Sequence, residues 1–431
     1  MKRIKRGWLP SVSCSLNYRT TNARRLTRLK AHCARWRKAP LEIVSSAVSL
    51  SKHSGSRRCR LRAIAFNAKI HRRRRPLPCC SGTRNCLKAA RLDSFGGSDR
   101  LVYGDLPDPS PKKGEALVSV RACALNHLDL WIREGNPAYK IELPHILGND
   151  AAGVLEAFGP ETSVPEFSVG DSVIVSPGVS CGECARCKEG LDNLCDSYAI
   201  LGANAGWGSY AEKIAVPARN LILKPARLSF EEAASYPLVF LTAYHMLATL
   251  ARVKKGSTVV VVGSGSGVGA AAIQIAKHLG ATVWAASSSE AKLKAAKELG
   301  ADGVLTSPPD RLSKAVRKAL GRGGVDVVFE HVGGDFFTEA VKCLRPGGTL
   351  VTCGATANAE VALDLRYVFF KELKILGAKM GTLEELRTLS RLFDKGKLSP
   401  IVDRVFPLAE AKEAHDYLAA RKQFGKVILT P

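Results

Sequence analysis

The stretch Val259-Val260-Val261-Val262-Gly263-Ser264-Gly265-Ser266-Gly267-Val268-Gly269 decides the fold. Four consecutive β-branched residues favour a strand covered on both faces, as in a parallel sheet. The run then breaks into alternating Gly and Ser, and a stretch rich in Ala and Ile follows from Ala270. Strand, glycine turn and helix, in that order, make a site for pyrophosphate. Glycines permit the tight turn and the close approach of backbone to phosphate, and the helix N-terminus offers unpaired N–H groups and the positive end of its dipole. Gly263, Gly265, Gly267, Val268 and Gly269 are therefore candidate cofactor-binding residues. A flexible Gly/Ser loop is the alternative, and the flanking strand and helix argue against it.

Working outward, the pattern alternates. Helical spacing is expected over 268–279 and 290–299, and strands over 282–286, 325–329 and 349–353. Such alternation implies a doubly wound parallel α/β sheet. The second strand bears on the choice of cofactor. NAD sites usually end it in an acid that binds the ribose hydroxyls. Here it ends in Trp284-Ala285-Ala286-Ser287-Ser288-Ser289. Ser287, Ser288 and Lys292 are candidates to accept a 2′-phosphate, which favours NADP over NAD. The alternatives are that Lys292 is only a solvated helix residue and that Glu290 reaches a ribose.

Residues 87–225 read as β-rich, with alternating runs such as Ala116-Leu117-Val118-Ser119-Val120-Arg121 bounded by Gly, Pro and Asp. From Phe230 the pattern turns helical, with Ser229 as N-cap and Glu231 and Glu232 in the first turn. The tail ends in a strand-like Lys426-Val427-Ile428-Leu429.

Inside the β-rich region, Cys181, Cys184, Cys187 and Cys195 have the spacing C-x2-C-x2-C-x7-C. Four thiolates this close wrap one tetrahedral Zn²⁺ and leave no position for water, so the expected metal is structural. Core cysteines or an iron–sulfur cluster are the alternatives.

Charge divides sharply by position. Residues 1–86 hold 23 Lys or Arg against one acid, Glu42, whereas residues 87–431 hold 41 bases against 38 acids. The first 86 residues are therefore expected to be a basic extension of low order. They admit three readings: an upstream extension of the reading frame, an Arg- and Ser-rich transit segment, or a nucleic-acid arm. The sparse aromatics of this segment, Trp8, Tyr18, Trp36 and Phe66 among 23 bases, weigh against the arm. The text changes character at Leu87, where Leu87-Lys88-Ala89-Ala90-Arg91-Leu92 reads like a native start with Leu in place of Met. No apolar run approaches the ~18–20 residues of a membrane span, so a soluble, cytoplasmic enzyme is expected, with organelle import as the alternative if residues 1–86 are a transit segment.

The glycine turn, the four-cysteine lobe and the closing Gly425-Lys426-Val427-Ile428-Leu429 together resemble the medium-chain dehydrogenase/reductase superfamily along residues 87–431. The resemblance implies a Rossmann domain (228–375) inserted into a GroES-like catalytic domain (87–227), with residues 376–431 returning to the latter. It also implies a homodimer or homotetramer acting on a small molecule.

Alcohol dehydrogenases of this superfamily hold a catalytic zinc by a Cys, a His in Gly-His-Glu, and a later Cys. At those positions this chain carries Asn126, Asn149 and Leu238, which are poor or impossible zinc ligands. Leu125-Asn126-His127-Leu128-Asp129 is instead similar to the zinc-free quinone oxidoreductase and enoyl reductase branches, whose members reduce quinones or activated C=C bonds. The resemblance implies that Thr242 packs on the nicotinamide, that His127 reaches a cofactor phosphate, and that Asn126 orients a substrate carbonyl. Asp129 is expected to fix the local fold, against Lys426. Tyr244 is a candidate proton donor, with an amphipathic core residue as the alternative. His145 and His331 read as ordinary satisfied histidines. A second reading is an alcohol dehydrogenase with an unusual metal site built from Asp150 with His145 or Cys123. A third, from another class, is a dinucleotide sensor that binds nucleic acid through the basic arm.

Overall fold

The computed structural model describes residues 86–431 apart from Ser307. The readings of the basic extension fall on residues that lie, apart from Cys86, outside this range.

Two large sheets carry the described chain. Six parallel strands run in the spatial order Gly303–Thr306, Thr282–Ser287, Thr258–Val262, Val325–Glu330, Leu344–Thr352, Lys374–Gly377. The strand before the glycine turn thus lies in the middle of the sheet, where the strand order reverses direction. Its valines explain that position. Val259 and Val261 pack into one apolar cluster and Val260 and Val262 into another, and all four are fully buried. A strand that is apolar at every position needs cover on both faces, and the helices between the strands supply it.

The second sheet has seven strands. Leu221–Leu223, Ser172–Val175, Asp150–Phe158, Glu115–Ala124, Lys426–Thr430 and Val402–Pro407 lie side by side, and Lys213–Pro217 also pairs with Glu115–Ala124. A smaller sheet joins Leu101–Pro107, Cys86–Leu92 and His145–Ile146. The closing strand is the hinge of the topology. After building the parallel sheet, the chain returns and inserts Lys426–Thr430 beside the early strand, with Ile428 opposite Ala124 and Leu429 opposite Cys123.

Local sequence accounts for the helix starts. Ser229 caps Phe230–Ala234, where its Oγ accepts the N–H of Glu232 and the Glu232 carboxylate accepts the N–H of Ser229. Ser266 caps Gly267–His278 by accepting the N–H of Gly269 at 3.0 Å. Each cap satisfies donors that the first helical turn leaves unpaired. One feature was not legible in the sequence: the helix Pro237–Tyr244 continues as a π-helical turn over His245–Leu250. There His245 Nδ1 meets the Glu385 carboxylate at 3.0 Å. Among the described residues no helix is long and apolar enough to cross a membrane.

Candidate active site

A cleft of about 690 Å³ opens at the C-terminal ends of the parallel strands. Residues just beyond four of those strands line it: Gly263, Ser288, His331 and Cys353. Asn126, His127 and Lys426 line it from the other sheet. A crevice where the strand order reverses is where open α/β sheets hold ligands.

The glycine turn floors this cleft, and its shape requires glycine. Gly263 has φ +66°, and a Cβ there would stand 2.7 Å from His331 Nε2. A Cβ on Gly265 would meet Lys292 Cδ at 2.4 Å, and one on Gly269 would meet the Gly263 carbonyl oxygen at 2.4 Å. Gly267 is closed off by Lys426 Cδ at 3.0 Å and Val239 Cγ1 at 3.2 Å. Gly267 and Val268 then begin a 12-residue helix whose first N–H groups have no carbonyl four residues before them. Turn and helix start fit a pyrophosphate.

The serine-tipped strand supplies the next wall. Ser287, Ser288 and Ser289 all line the cleft, beside Lys292. Burial draws the Lys292 ammonium below its usual pKa, with Asp403 acting against it and Arg421 adding to it. Lys292 Nζ donates to the Arg421 carbonyl at 2.7 Å, which brings Arg421 and Lys422 to the same edge. Glu290 does not line the cleft, so its expected alternative role at a ribose has no geometric basis. The charged residues of the lining are Lys292, Lys379, Arg421, Lys422 and Lys426, with no carboxylate among them. In a body that is nearly neutral, this concentrates positive potential on one cleft. His127 lies within it and is held neutral, its pKa lowered to about 4 by burial and then by Arg421, His331, Lys426 and Lys292.

At the inner end, three residues form a closed network. Lys426 Nζ donates to Asn126 Oδ1 at 2.6 Å and to Asp150 Oδ2 at 3.0 Å. Asn126 Nδ2 donates to Asp150 Oδ2 at 2.9 Å and makes a long contact to Asn149 Oδ1 at 3.4 Å. The other Asp150 oxygen accepts the N–H of Leu238 at 2.8 Å. Two expectations change. Lys426 pairs with Asp150 and not with Asp129, because the closing strand sets it against Asn126. Asp129 lies fully buried below, accepting from the N–H of Asn126, the N–H of Gly148 and the Tyr210 hydroxyl. Asn126, in turn, has its amide oxygen and at least one amide hydrogen committed within the protein, which leaves it little capacity to orient a substrate carbonyl.

Other expected residues divide clearly. Thr242 is buried, lines the cleft, and donates its hydroxyl to the Leu238 carbonyl at 2.7 Å. Tyr244 does not line the cleft and packs against the core. Two residues on from Thr242, it lies on a different helix face, so its expected role as proton donor is not supported. His331, read as ordinary, sits at the cofactor turn and shares a hydrogen bond with Ser266 Oγ at 3.1 Å. The unusual metal site does not assemble. Cys123 is buried within its strand, His145 Nε2 bonds the Gly202 carbonyl at 3.1 Å, and Asp150 is paired with Lys426. Asn126, Asn149 and Leu238 do not fit a zinc ion either, since two amides and one leucine offer no anionic or imidazole donor and the neighbouring Asp150 carboxylate is paired with Lys426.

The four cysteines do converge. Their sulfurs all lie within 4.8 Å of one another, and Cys181 Sγ is 3.5 Å from Cys195 Sγ and 3.9 Å from Cys187 Sγ. Zn–S bonds of ~2.3 Å in a tetrahedron separate sulfurs by about 3.8 Å. The backbone N–H groups of Glu183 and Cys184 donate to Cys181 Sγ, and those of Cys181 and Ser197 to Cys195 Sγ. The first pair draws the Cys181 thiol down to about 6. N–H donors around sulfur stabilise thiolate, so the lobe fits a divalent ion. It is the single group of three or more such ligands among the described residues.

The lobe also props the cleft. Asn193 Nδ2 donates to the Lys379 carbonyl at 3.3 Å, Asp192 accepts the N–H of Leu383, and the Tyr198 hydroxyl meets Met380 Sδ at 3.5 Å. Lys379 and Met380 line the cleft with Leu128, Trp131, Tyr139 and Ile200. Sequence reasoning missed Arg421, Lys422 and His331. No local motif marks them, because they reach the cleft only through the chain's return and the strand order.

Comparison with known proteins agrees with this architecture. Residues 112–226 match the alcohol dehydrogenase GroES-like domain and residues 267–395 the zinc-binding dehydrogenase family. An NAD-dependent alcohol dehydrogenase of Sulfurisphaera tokodaii is 33% identical over 80% of this chain and 100% of its own length. An acryloyl-coenzyme A reductase of the same organism is 31% identical over 76% of this chain and 95% of its own. The crystal structure of an NAD-dependent alcohol dehydrogenase superposes with a TM-score of 0.75 at 42% identity, covering 80% of this chain and 99% of that one. Relatives further include a quinone oxidoreductase and a crotonyl-CoA carboxylase/reductase. The chain therefore belongs to the zinc-type alcohol dehydrogenase, or medium-chain dehydrogenase/reductase, superfamily and is an NAD(P)-dependent oxidoreductase.

Proposed function

We propose that this enzyme uses NADPH to reduce an activated carbon–carbon double bond or a quinone, with no metal ion at the reacting carbonyl. The observation that carries this reading is the Asn126–Asp150–Lys426 network, which engages the amide of Asn126, the residue that the family resemblance puts at a zinc-ligand position. When bound, the nicotinamide supplies a hydride to an electron-poor carbon. The residues of this chain do the rest. The glycine turn and the helix start at Gly267 hold the pyrophosphate. Ser287, Ser288, Lys292 and Arg421 bind the 2′-phosphate, consistent with a cleft lined by five bases and no acid. Thr242 packs beside the nicotinamide, and Leu128, Trp131 and Tyr139 exclude water from the substrate side.

The same proposal assigns one structural Zn²⁺ to Cys181, Cys184, Cys187 and Cys195. It divides the chain into a catalytic domain (87–227), a Rossmann domain (228–375) and a returning segment (376–431), assembled as a dimer or tetramer. The test is oxidation of NADPH with quinones, enones and enoyl thioesters, run against primary alcohols with NAD, together with metal analysis. Reduction of an activated double bond or quinone with one zinc per chain is the expected result. Alcohol oxidation that chelators abolish, with two zincs per chain, would overturn the metal-free reading.

A further inference from the structure

Strand order sets Lys379 apart from the other cations of the cleft. Ser287 ends the strand Thr282–Ser287, and Lys379 lies two residues beyond the strand Lys374–Gly377. These strands are four places apart in the sheet, about 19 Å at the usual spacing. The glycine turn follows Thr258–Val262, three places from the Lys379 side. A nicotinamide dinucleotide carries its negative charge on the pyrophosphate and, in NADP, on the 2′-phosphate. The glycine turn takes the first and the tip of the second strand the other. Arg421 joins that tip through Lys292 Nζ, and Lys426 stands against the helix start at Gly267. The nicotinamide end brings no anion to Lys379.

Lys379 is nevertheless held in place. Its exposed ammonium lies 4.3 Å from the centre of the Tyr198 ring, whose face attracts a cation. Asn193 Nδ2 donates to its carbonyl at 3.3 Å, and the Tyr198 hydroxyl meets Met380 Sδ at 3.5 Å. Met380 has φ +49°, a left-handed conformation that a non-glycine residue keeps only where its surroundings hold it. Lys379 forms no ion pair among the described residues. The residues that line the cleft beside it, Met380 and Ile200, are apolar. An apolar wall with one fixed, unpaired ammonium suits a ligand that has a hydrocarbon body and one anionic group.

We propose that Lys379 is a specificity-determining residue: its ammonium binds an anionic group of the substrate, a phosphate or a carboxylate, at a distance from the reacting double bond. This rests on the reductase reading above and narrows it to activated alkenes that carry a negative charge. Lys379 takes no part in the chemistry. It acts through binding, so its effect falls on KM, and Tyr198 and Asn193 act as its positioning residues.

The test uses the full chain with saturating NADPH or NADP⁺, so that the nucleotide part of a coenzyme A thioester cannot enter the cofactor site. Two charged alkenes are compared with neutral counterparts: crotonyl-coenzyme A with the crotonyl thioester of N-acetylcysteamine, and β-acetylacrylate with its methyl ester. Lys379→Met changes an exposed residue, so folding should survive. It is expected to lower kcat/KM for a charged alkene about fivefold or more, the upper end for an exposed ion pair, through KM and with kcat within about twofold. The neutral counterparts, and the Kd for NADPH read by fluorescence, should stay within about twofold. Lys379→Glu should deepen the loss, because repulsion replaces attraction, and Lys379→Arg should restore most of it. A loss for the coenzyme A thioester alone assigns the site to phosphate, for β-acetylacrylate alone to carboxylate, and for both to either group. No loss for either charged alkene, an equal loss for the neutral ones, or a matching fall in NADPH affinity would overturn the proposal. Butyryl-coenzyme A and levulinate, the saturated analogues, are titrated into the NADP⁺ complex by calorimetry as a readout independent of turnover. Failure of both to bind the wild-type complex would also overturn it. Binding that weakens in Lys379→Met, in a chain that reduces no activated double bond or quinone, would instead sink the reductase reading and leave the anion site standing.

Discussion

Lys426 and Asn126 are 300 positions apart in the chain, and Lys426 Nζ lies 2.6 Å from Asn126 Oδ1. The closing strand pairs with the strand that ends just before Asn126, and this pairing delivers the ammonium to a site where it also meets Asp150. Breaking one partner of a buried ion pair leaves an uncompensated charge, which costs about 3–5 kcal/mol. Lys426→Met should therefore lower the melting temperature, and adding Asp150→Asn should recover part of the loss. Thermal unfolding of the two variants checks this.

The glycine turn gives two separable outcomes. Gly265→Val places side-chain atoms where phosphate would approach and where Lys292 already sits at 2.4 Å from a Cβ. Lys292 is flexible, so folding should survive while NADPH affinity falls at least about tenfold, roughly 1.4 kcal/mol. Gly269→Ala meets backbone, the Gly263 carbonyl at 2.4 Å. It should destabilise the fold by about 1–3 kcal/mol. Isothermal titration and denaturant unfolding distinguish the two.

Arg421 tests the choice of cofactor. It is exposed, lines the cleft and accepts from Lys292 Nζ through its carbonyl. Arg421→Ala should weaken NADPH binding by about tenfold, the scale of one charge-assisted contact, and leave NADH binding within about twofold. Equal losses for both cofactors would place Arg421 at the pyrophosphate instead.

Removing the lobe's metal should act at two distances. A chelator, or Cys187→Ser, is expected to release one zinc per chain by mass spectrometry and to lower the melting temperature. Because Asn193 and Tyr198 hold Lys379 and Met380, the KM for substrate should rise more than the Kd for NADPH.

Acid should destabilise the fold through two histidines, the buried His415 and the half-buried His127. Burial lowers the pKa of His415 to about 3, with Arg133 adding to the effect, and the pKa of His127 falls to about 4. Between those values and the ordinary 6.5 the unfolded chain binds the extra protons, so stability falls as pH drops through that window. Asp129, raised to about 6 by burial, works in the opposite direction between its ordinary 3.8 and 6 and offsets part of the loss. His415→Gln should flatten the acid limb of a plot of melting temperature against pH.

Tyr244→Phe should leave kcat within about twofold, because Tyr244 does not line the cleft. A fall of a hundredfold would return it to the chemistry.

How much was legible in the sequence follows from the range of each interaction. The glycine turn, the cysteine spacing and the Ser229 cap are local. Their chemistry needs residues within about fifteen positions, so the sequence alone determined the parallel sheet, a dinucleotide turn and a four-sulfur lobe. The resemblance to the superfamily also led to the expectation that Asn126, Asn149 and Leu238 stand where a catalytic zinc would need donors. Tertiary structure decided what stands in their place. Lys426 reaches Asn126 because a strand closing the chain is inserted beside an early one, and the same return brings Arg421 to the cleft that Ser287 also lines. His331 meets the glycine turn because two strands distant in sequence are neighbours in the sheet. Tyr244 turned away from the cleft because helical phase, and not residue type, sets which face a side chain occupies. Sequence determined the groups that act through their own backbone turn, and only the fold decided which buried charge meets which partner, since that depends on strand order across 300 residues.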